Sequence, residues 1–483
     1  QPVFPSVSLL DYICLSLILS ICVGIGSLVN QTRNLEEDCM RRLLAMLIAI
    51  AMVISACGSG GDGESTTTSG DVETTTTSGD GGETTTTADS GVGEADLTIA
   101  TWTAEAPGWV DWWPATIEAF ESANQGVTVE VQQIPFADLV SSLTTRFVAG
   151  DGPDLVHIPL PLTTLPAWAE AGFLLDLDEY LTGTDVPELW PDTQGSMEWN
   201  GTSYGALMQD YGYVLFYNQQ MLDDANVEVP TTLEELEAAA AALTTGDQFG
   251  YAVTVDSTIN FLSDIFQFLS GTGAPWIDGG EWNFTDPAVI SAVETWRTMA
   301  TEYSPQGTDI NQKRQAWFNG NAAMMIEGPF ILGQIEANAP AELVDVLHVA
   351  QLPFAVPSGD VSNGISVYSG IDESKLAAAE AFISHIISQA TMESLASSVT
   401  NTVARRTANE VLAGTPDTDE VVAAAENVGG LLFPADAQGL RADFSDFQTI
   451  AADWFQQLLN TDISVEDAMS GLQAALEAEG LTP

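Results

Sequence analysis

Four tryptophans cluster between positions 102 and 113: Trp102, Trp109, Trp112 and Trp113. A flat indole ring can stack on the apolar face of a ligand, and its N–H can donate a hydrogen bond. The cluster begins where the short apolar run Leu97–Thr101 predicts a buried strand. Open α/β sheets bind ligands at the carboxyl ends of their strands, so Trp102 and Trp109 are candidate binding residues. Trp112 and Trp113 equally fit a role in packing the following helix into the core.

Catalytic and metal-binding patterns are absent from the sequence. It contains no G-x-S-x-G motif, no phosphate-binding P-loop and no histidine near a Ser or Cys pair. His157, His348 and His385 are scattered without the spacing of metal ligands, and we expect each to have a structural or surface role. Carboxylate pairs arise by chance among 68 acidic residues, so they do not indicate a glycosidase. The sequence predicts a protein that is not an enzyme and holds no metal or cofactor.

The charge balance excludes one class of partner and disfavours another. Lys and Arg total 11 while Asp and Glu total 68, which gives a formal net charge of -57. Such a surface repels phosphate backbones and excludes nucleic-acid binding. It also argues against an anionic small-molecule ligand, because few cations exist to pair with one. The hydrophobic content of 45% is that of a folded chain.

Residues 40–57 (MRRLLAMLIAIAMVISAC) have the layout of a bacterial export signal. Met40 and two arginines precede the apolar run Leu43–Ile54, which is too short to span a bilayer comfortably. The last four residues resemble a lipobox. We therefore predict a lipoprotein signal peptide over residues 40–56 and lipidation of Cys57. The alternative is a signal-anchor helix that is never cleaved.

Residues 1–39 precede this signal and begin with Gln1. They contain a second apolar run, Ile13–Val29, next to the acidic Glu36–Asp38. Two consecutive export segments make little physical sense, so we expect residues 1–39 not to belong to the functional protein. The alternative is an additional membrane helix.

A flexible tether is predicted between Cys57 and residue 95. Its composition is dominated by Gly, Ser, Thr, Asp and Glu, and ETTTTSGD at 73–80 is nearly repeated by ETTTTADS at 83–90. Such a segment buries too little apolar surface to offset the entropy of ordering it. It would hold a folded body near the membrane by the lipid on Cys57.

The body, residues 96–483, shows the alternating strand and helix patterns of an α/β fold with a parallel sheet. The capping signal at Thr231 and Thr232 marks the start of one helix, and almost the whole chain beyond Lys375 is helical in pattern. The predicted strands are 97–101, 127–134, 155–158, 213–217, 249–255, 322–326 and 347–352. The predicted helices are 112–124, 136–149, 165–171, 233–243, 261–270 and 287–302.

Six segments of this body resemble, in order, motifs of the extracellular solute-binding proteins of ABC importers, specifically the carbohydrate-binding group that includes maltose-binding protein. Phe330, Leu207 and Gln219 depart from the family pattern, where Trp, Pro and Lys are frequent. The segments are LTIATWT (97–103), FVAGDGPDLVHI (147–158), YGALMQDYGYVLFYNQQML with VPTTLEELEAAAAAL (204–243), FNGNAAMMIEGPFIL (318–332), VARRTAN (403–409) and SVEDAMSGLQAAL (464–476).

The resemblance implies a type II periplasmic-binding-protein fold with two lobes, a hinge and a ligand cleft between the lobes. We expect the N-terminal lobe to contain residues 96–208 and about 353–400. The C-terminal lobe then contains residues 209–352 and about 401–483. The predicted crossings between lobes are Leu207–Tyr211, Gln351–Phe354 and Val399–Ala404.

The resemblance also implies site residues beyond the two tryptophans. Neutral sugars need aromatic platforms and planar polar groups that satisfy several hydroxyls. Asp210 could accept two hydroxyls, Phe330 could stack on a ring, and the family uses the loop around Asn363 for ligand contacts. Arg405 or Arg406 either reaches the cleft or forms an ion pair between lobes. The full set of predicted ligand-binding residues is Trp102, Trp109, Gln209, Asp210, Tyr211, Asn260, Phe330, Asn363, Tyr368 and Arg405.

The function implied is that of a monomeric, lipid-anchored receptor facing the periplasm or extracellular space. It would deliver a sugar or oligosaccharide to two permease subunits driven by a cytoplasmic ATPase. A polyamine or a glycerol phosphodiester is an alternative ligand, although the scarcity of basic residues weighs against the phosphodiester. A secreted glycoside hydrolase is the rival from another class.

Overall fold

The computed structural model describes residues 92–256 and 258–483. The predictions made for residues 1–39, for the signal peptide at 40–56, for Cys57 and for the tether up to residue 91 lie outside this range. Residues 92–94 lead directly into the first strand, which begins at Ala95. None of the helices in the described range is both long and apolar enough to cross a membrane.

The strands form two larger sheets and two short hairpins. They are β1 (Ala95–Thr101), β2 (Val127–Gln133), β3 (Leu155–Pro159), β4 (Glu198–Trp199), β5 (Thr202–Ser203), β6 (Gly205–Gly212), β7 (Val214–Asn218), β8 (Phe249–Tyr251), β9 (Ile277–Asp278), β10 (Glu281–Trp282), β11 (Ala322–Glu327), β12 (Leu347–Ala350), β13 (Ser358–Val367) and β14 (Gly430–Leu431).

The helices cover both sheets. They are α1 (Trp109–Ala123), α2 (Phe136–Ala149), α3 (Pro161–Glu170), α4 (Asp178–Thr182), α5 (Val186–Leu189), α6 (Gln219–Ala225), α7 (Leu233–Leu243), α8 (Ile259–Gly271), α9 (Pro287–Glu302), α10 (Ile310–Phe318), α11 (Ile335–Asn338), α12 (Glu373–Ile386), α13 (Gln389–Val399), α14 (Pro416–Glu426), α15 (Gln438–Ala442), α16 (Phe444–Asn460) and α17 (Val465–Glu479). Short 3-10 helices lie at 192–197, 329–334, 344–346 and 406–412.

The first lobe is built on a sheet with the strand order β6-β13-β3-β1-β2, and β14 pairs with the amino end of β13. β1 runs parallel to β2 and β3, whereas β13 runs antiparallel to both β3 and β6. β3 is buried along its whole length, as expected for a central strand covered by helices on both faces. α1, α12 and α13 pack on one side of this lobe, with Trp112 and Phe382 in their core.

The second lobe is built on a four-stranded sheet with the order β12-β7-β11-β8. α7, α8, α9, α16 and α17 share the largest apolar cluster with this sheet. α7 begins where the sequence predicts, because the Thr232 hydroxyl accepts a hydrogen bond from the Glu235 N–H. β8 ends at Tyr251 rather than at Val255, and the N–H of Thr254 donates to the Asp264 carboxylate instead of to a strand.

The chain crosses between the lobes at different points from two of those predicted. β6 remains paired with β13 up to Gly212 and β7 starts at Val214, so the first crossing lies beyond Leu207–Tyr211. The second spans residues 351–357, between β12 and β13, and includes the predicted Gln351–Phe354.

The third crossing differs most from the prediction. Val403 and Ala404 still pack in the first lobe. α14 then contributes Val421 and Ala424 to a second-lobe cluster. The chain next returns to the first sheet as β14. From Phe444, the first residue of α16, the buried apolar residues all pack in the second lobe.

Two neighbouring strands of the first sheet, β6 at its edge and β13 beside it, carry residues that the sequence interpretation placed in a hinge and a loop. The prediction of a loop around Asn363 is wrong, because this residue lies within the ten-residue strand β13. Gly364 allows Met197 to pack closely against β13, since a Cβ at position 364 would lie 2.5 Å from the Met197 sulfur.

Candidate functional site

The strand directions bring several predicted residues to one edge of the first sheet. β1, β3 and β6 point the same way, so their carboxyl ends meet the amino half of β13 at this edge. The edge faces the crossings to the second lobe, where open α/β sheets bind ligands. We call it the cleft edge. Its predicted residues are Trp102, Gln209, Asp210, Tyr211 and Asn363.

Trp102 is fixed in position from two directions. Its indole stacks on the His157 imidazole with ring centroids 4.4 Å apart and an angle of 16° between the planes. Its carbonyl oxygen accepts a hydrogen bond from Gln133 Nε2 at 3.0 Å, and Gln133 Oε1 accepts from the Ala104 N–H at 2.9 Å. The half-buried indole is therefore a platform whose orientation is set before any ligand arrives.

His157 supports this platform as a neutral ring. It is fully buried, and burial lowers its pKa from 6.5 to about 4, because the interior disfavours the charged imidazolium. Nδ1 lies 2.8 Å from the Thr101 hydroxyl, and the rings of Trp109 and Trp113 flank it at 5.2 and 5.6 Å. The Asn363 side chain acts on the imidazole as a hydrogen-bonding neighbour that raises its pKa, but burial outweighs this effect.

Gln209 and Asn363 bring two planar amides together at the cleft edge. Asn363 Nδ2 donates to Gln209 Oε1 at 2.9 Å across the β6–β13 pair. Both side chains are buried, and the Asn363 side chain is also a hydrogen-bonding neighbour of His157. The two amides are therefore held in place by contacts within the first lobe.

The Asp210 carboxylate accepts hydrogen bonds from other side chains of the first lobe. Arg406 donates to both carboxylate oxygens at 2.6 Å, and the Thr193 hydroxyl donates to Oδ2 at 2.6 Å. The Asp210 carbonyl accepts from the Thr402 hydroxyl at 2.7 Å. These bonds tie the 401–406 segment to β6. They give Asp210 a positioning role in addition to any contact with ligand.

The two lobes meet at Tyr211. Its ring packs edge-on against Phe330 of the second lobe, with centroids 5.9 Å apart, and against Tyr213, at 5.2 Å. Phe330 is half-buried and lies 5.4 Å below the guanidinium of Arg314, which donates to Glu327 at 2.8 Å. This aromatic contact joins the two lobes beside the first crossing, and we call it the Tyr211–Phe330 floor.

Asp360 lies beside this floor, with its carboxylate accepting from the Tyr213 hydroxyl at 3.0 Å and from the Val361 N–H at 2.8 Å. Burial raises its pKa from 3.8 to about 6, because the interior solvates the charged carboxylate less well than water does. Burial likewise raises the pKa of Tyr211 and Tyr213, so both phenols stay protonated donors at neutral pH.

Four predicted residues lie away from the cleft-edge group. Trp109 packs in the first-lobe core with 7% exposure. Tyr368 follows the far end of β13 and stacks on Phe147, with centroids 4.9 Å apart. Arg405 donates to Asp185, Gln389 and the Ile387 carbonyl. Asn260 is the second residue of α8 and is half-buried.

Three residues of this edge were missed from the sequence: Gln133, Phe136 and His157. Phe136 follows the carboxyl end of β2 and is 45% exposed, with its ring 5.8 Å from that of Trp102. Its place after a predicted strand was a usable signal. Gln133 and His157 act through contacts with Trp102 that only the register between strands reveals. Across the described residues, no group of three His, Cys, Asp or Glu side chains is arranged to hold a metal ion.

Residues 115–430 match the family described as bacterial extracellular solute-binding protein. The chain belongs to this family. A binding protein of Brucella abortus is 23% identical over 258 residues, which cover 51% of this chain and 61% of that protein. The maltotriose-binding protein of Pyrococcus abyssi is 24% identical over 244 residues, 47% of this chain and 50% of that protein. The chain thus matches about half to three fifths of the length of these relatives.

Solved structures of solute-binding proteins share the fold. The GacH receptor of Streptomyces glaucescens, solved unliganded and with acarbose, superposes with a TM-score of 0.69 and 21% identity, covering 80% of this chain and 98% of the receptor. The predicted two-lobe α/β fold of type II periplasmic binding proteins is confirmed, and so is the resemblance to carbohydrate-binding members of the family.

Proposed function

We propose that this family member is the substrate-binding protein of an ABC importer and that its ligand is a sugar or oligosaccharide. The observation that supports this most directly is the pre-oriented Trp102 platform, which lies on the same sheet edge as the amides of Gln209 and Asn363. An indole face suits the C–H face of a sugar ring, and amides suit its hydroxyls.

The distribution of positive charge favours a neutral ligand. All eight lysines and arginines of the described residues already donate to groups of the chain, so a phosphodiester would have to share a cation that has an internal partner. They are Arg146, Arg297, Lys313, Arg314, Lys375, Arg405, Arg406 and Arg441.

A polyamine is the second candidate ligand, and Asp360 is the observation that favours it. This buried carboxylate lies beside the rings of Tyr211 and Tyr213, and the structure gives it no cationic partner within the described residues. Aromatic rings around a carboxylate can bind an ammonium group. The ligand screen below includes this alternative.

Ligand capture would follow from closing the lobes about the three crossings. A sugar placed on Trp102 in the open form exposes its other face to water, and approach of the second lobe brings Phe330 and the start of α8 toward it. Closure then excludes water from the hydrogen bonds, and the closed shape is what the permease subunits would recognise. Turnover has no part in this proposal, because the family is one of binding proteins.

A thermal-shift screen of the purified protein tests the ligand class. The panel contains mono- and oligosaccharides, spermidine and glycerophosphocholine. A ligand raises the melting temperature according to its concentration relative to Kd, and we expect sugars alone to do so. Spermidine as the sole stabilising compound would establish the polyamine alternative. Release of smaller sugars from the bound oligosaccharide would instead identify a glycoside hydrolase.

Membrane attachment through Cys57 is the second part of the proposal. The motif at 40–57 supports it, together with the tether composition of the following residues. In a chain expressed from Met40, Cys57→Ala should move the protein from the membrane fraction to the soluble fraction. Unchanged membrane retention of this variant would contradict a lipid anchor, and Ser59→Ala in the same chain is the matched control.

A further inference from the structure

A second aromatic ring lies beside Trp102 at the cleft edge. Phe136 is the first residue of α2, directly after the carboxyl end of β2, and 45% of it is exposed. Its ring centroid is 5.8 Å from that of Trp102, and the planes are inclined by 59°. The two rings therefore form an aromatic corner that is open to solvent on the outer side of the sheet edge.

The neighbouring strands and side chains hold the two rings of this corner in position. β1 and β2 are parallel and in register, with Thr101 opposite Gln133, so the residues that follow these strands emerge side by side. Gln133 fixes the backbone after β1 through two hydrogen bonds, and His157 fixes the Trp102 ring from below. Phe136 sits on the first turn of α2, immediately after Pro135. The exposed Phe136 ring is thus paired with Trp102 rather than isolated on the surface, and it is not part of the core.

The strand order sets the distance between this corner and the floor at Tyr211. β6 and β1 are three strands apart in the order β6-β13-β3-β1-β2, which corresponds to about 14 Å. Phe136 follows β2, one strand farther away. A single sugar ring is too small to contact both Tyr211 and the corner. A chain of several rings laid along the cleft edge would contact both.

We propose that Trp102 and Phe136 form an outer stacking subsite and that the ligand is an oligosaccharide extending from the Tyr211–Phe330 floor to this corner. The inference rests on the proposed function and specifies its substrate class. The inner rings of the ligand lie over Gln209 and Asn363, and its outermost ring lies against Phe136. Affinity therefore increases with the number of sugar rings until the corner is occupied.

Isothermal titration of the whole chain with two series of one to five rings tests this, one of α-1,4-linked glucose and one of β-1,4-linked N-acetylglucosamine. In at least one series, Kd should fall with each added ring up to three or four. Phe136→Ala should weaken binding of the longest sugars by roughly three- to tenfold and leave the shortest bound sugar unchanged. Phe136→Tyr keeps a ring and should restore wild-type affinity for the long sugars.

Val148→Ala is the matched control, because Val148 is another exposed apolar residue of α2, 73% exposed near its far end. It should bind every sugar as the wild type does. Equal affinity of the wild type for one ring and for four would overturn the inference while leaving the sugar-binding function intact. Equal losses for short and long sugars in Phe136→Ala would overturn it too. If no sugar binds the wild type, both the proposed function and this inference fail.

Discussion

Arg406 donates two hydrogen bonds to Asp210, one to each carboxylate oxygen and each 2.6 Å long, across 196 positions of sequence. The Asp210 side chain is 4% exposed and that of Arg406 is 32% exposed. The pair joins β6 at the cleft edge to the segment that follows α13. It is thus part of the scaffold that positions Gln209 and Tyr211 on either side of Asp210.

Breaking this pair should destabilise the first lobe. Arg406→Met leaves a buried carboxylate with only the Thr193 hydroxyl as a side-chain donor, and we expect the free energy of unfolding to fall by about 2 kcal/mol, less than for a fully buried pair because Arg406 is partly solvated. Asp210→Asn combined with Arg406→Met should cost less than the sum of the single changes. Urea unfolding of the four proteins measures this coupling. Additive losses would show that the pair contributes no interaction energy.

Trp102 should affect ligand binding more than stability. Trp102→Ala removes the half-exposed platform, and we expect the affinity for the longest sugars that bind to fall by about tenfold or more. Trp113, 1% exposed, is the control, because Trp113→Ala should cost about 3–5 kcal/mol of stability as a core truncation. Titration calorimetry and urea unfolding separate the two effects. Wild-type sugar affinity in Trp102→Ala would contradict the assignment of the platform.

Acid should reduce stability through His157. Its pKa is about 4 in the folded protein and ordinarily 6.5, so the unfolded chain binds more protons between these values. Stability contributed by the neutral ring is therefore lost as pH falls from 6.5 toward 4, by at most about 3 kcal/mol. His157→Phe keeps the stack on Trp102 and should flatten this part of the stability profile.

Asp360 should change the stability in the opposite direction to His157 as the pH falls, so it serves as a comparison in the same experiment. Its pKa is about 6 when folded and ordinarily 3.8, so the folded protein binds the extra proton and gains stability as pH falls through 6. Asp360→Asn should remove this gain and make the acid loss steeper. Urea unfolding at pH 7, 6, 5 and 4.5 checks both variants. Identical slopes in the wild type and both variants would refute these assignments.

The first crossing depends on the absence of a side chain at Gly212. A Cβ there would lie 2.2 Å from the carbonyl oxygen of Ala424, on the backbone of α14. Gly212→Ala must separate α14 from β6, and we expect a loss of about 1–3 kcal/mol in thermal or urea unfolding. Gly195→Ala is the control, since nothing lies within 4 Å of a Cβ at that position. Equal stability of the two variants would argue against tight packing at the crossing.

The elements with strong local signals were predicted closely from the sequence. α7 and α9 have the predicted bounds, because a Thr232 cap and an Asp286–Pro287 start define their amino ends. β1, β2 and β3 were found from apolar alternation or short apolar runs. These signals lie within each segment, so no knowledge of distant contacts was needed.

β13 could not be predicted in the same way. Its sequence, SGDVSNGISV, is rich in small and polar residues that also suit a loop. It is a strand because β3 pairs with one of its edges and β6 with the other, and because its glycines allow close packing. Strand propensity depends strongly on such neighbours. The third crossing was misplaced for a similar reason, since β14 returns to the first sheet by pairing with β13.

The candidate site was predicted in part. The rule that ligands bind at carboxyl ends of strands selects Trp102, and the structure places this residue at the cleft edge, directly after β1. It does not reveal that His157 stacks on the indole or that Arg406 forms hydrogen bonds with the Asp210 carboxylate, because these contacts join residues far apart in sequence. Tyr368 was misplaced because the direction of β13 puts it at the opposite end of the sheet.

All eight basic residues in the part of the chain that the structure describes are paired with the chain's own groups, and this has a consequence for ionic strength. Residues 92–483 contain these 8 basic residues and 57 acidic ones, so the folded surface carries a large excess of mutually repelling carboxylates. Folding concentrates these charges, and salt screens them over a Debye length of about 10 Å at 0.1 M. The protein should therefore melt at a higher temperature in 0.5 M potassium chloride than in 0.01 M.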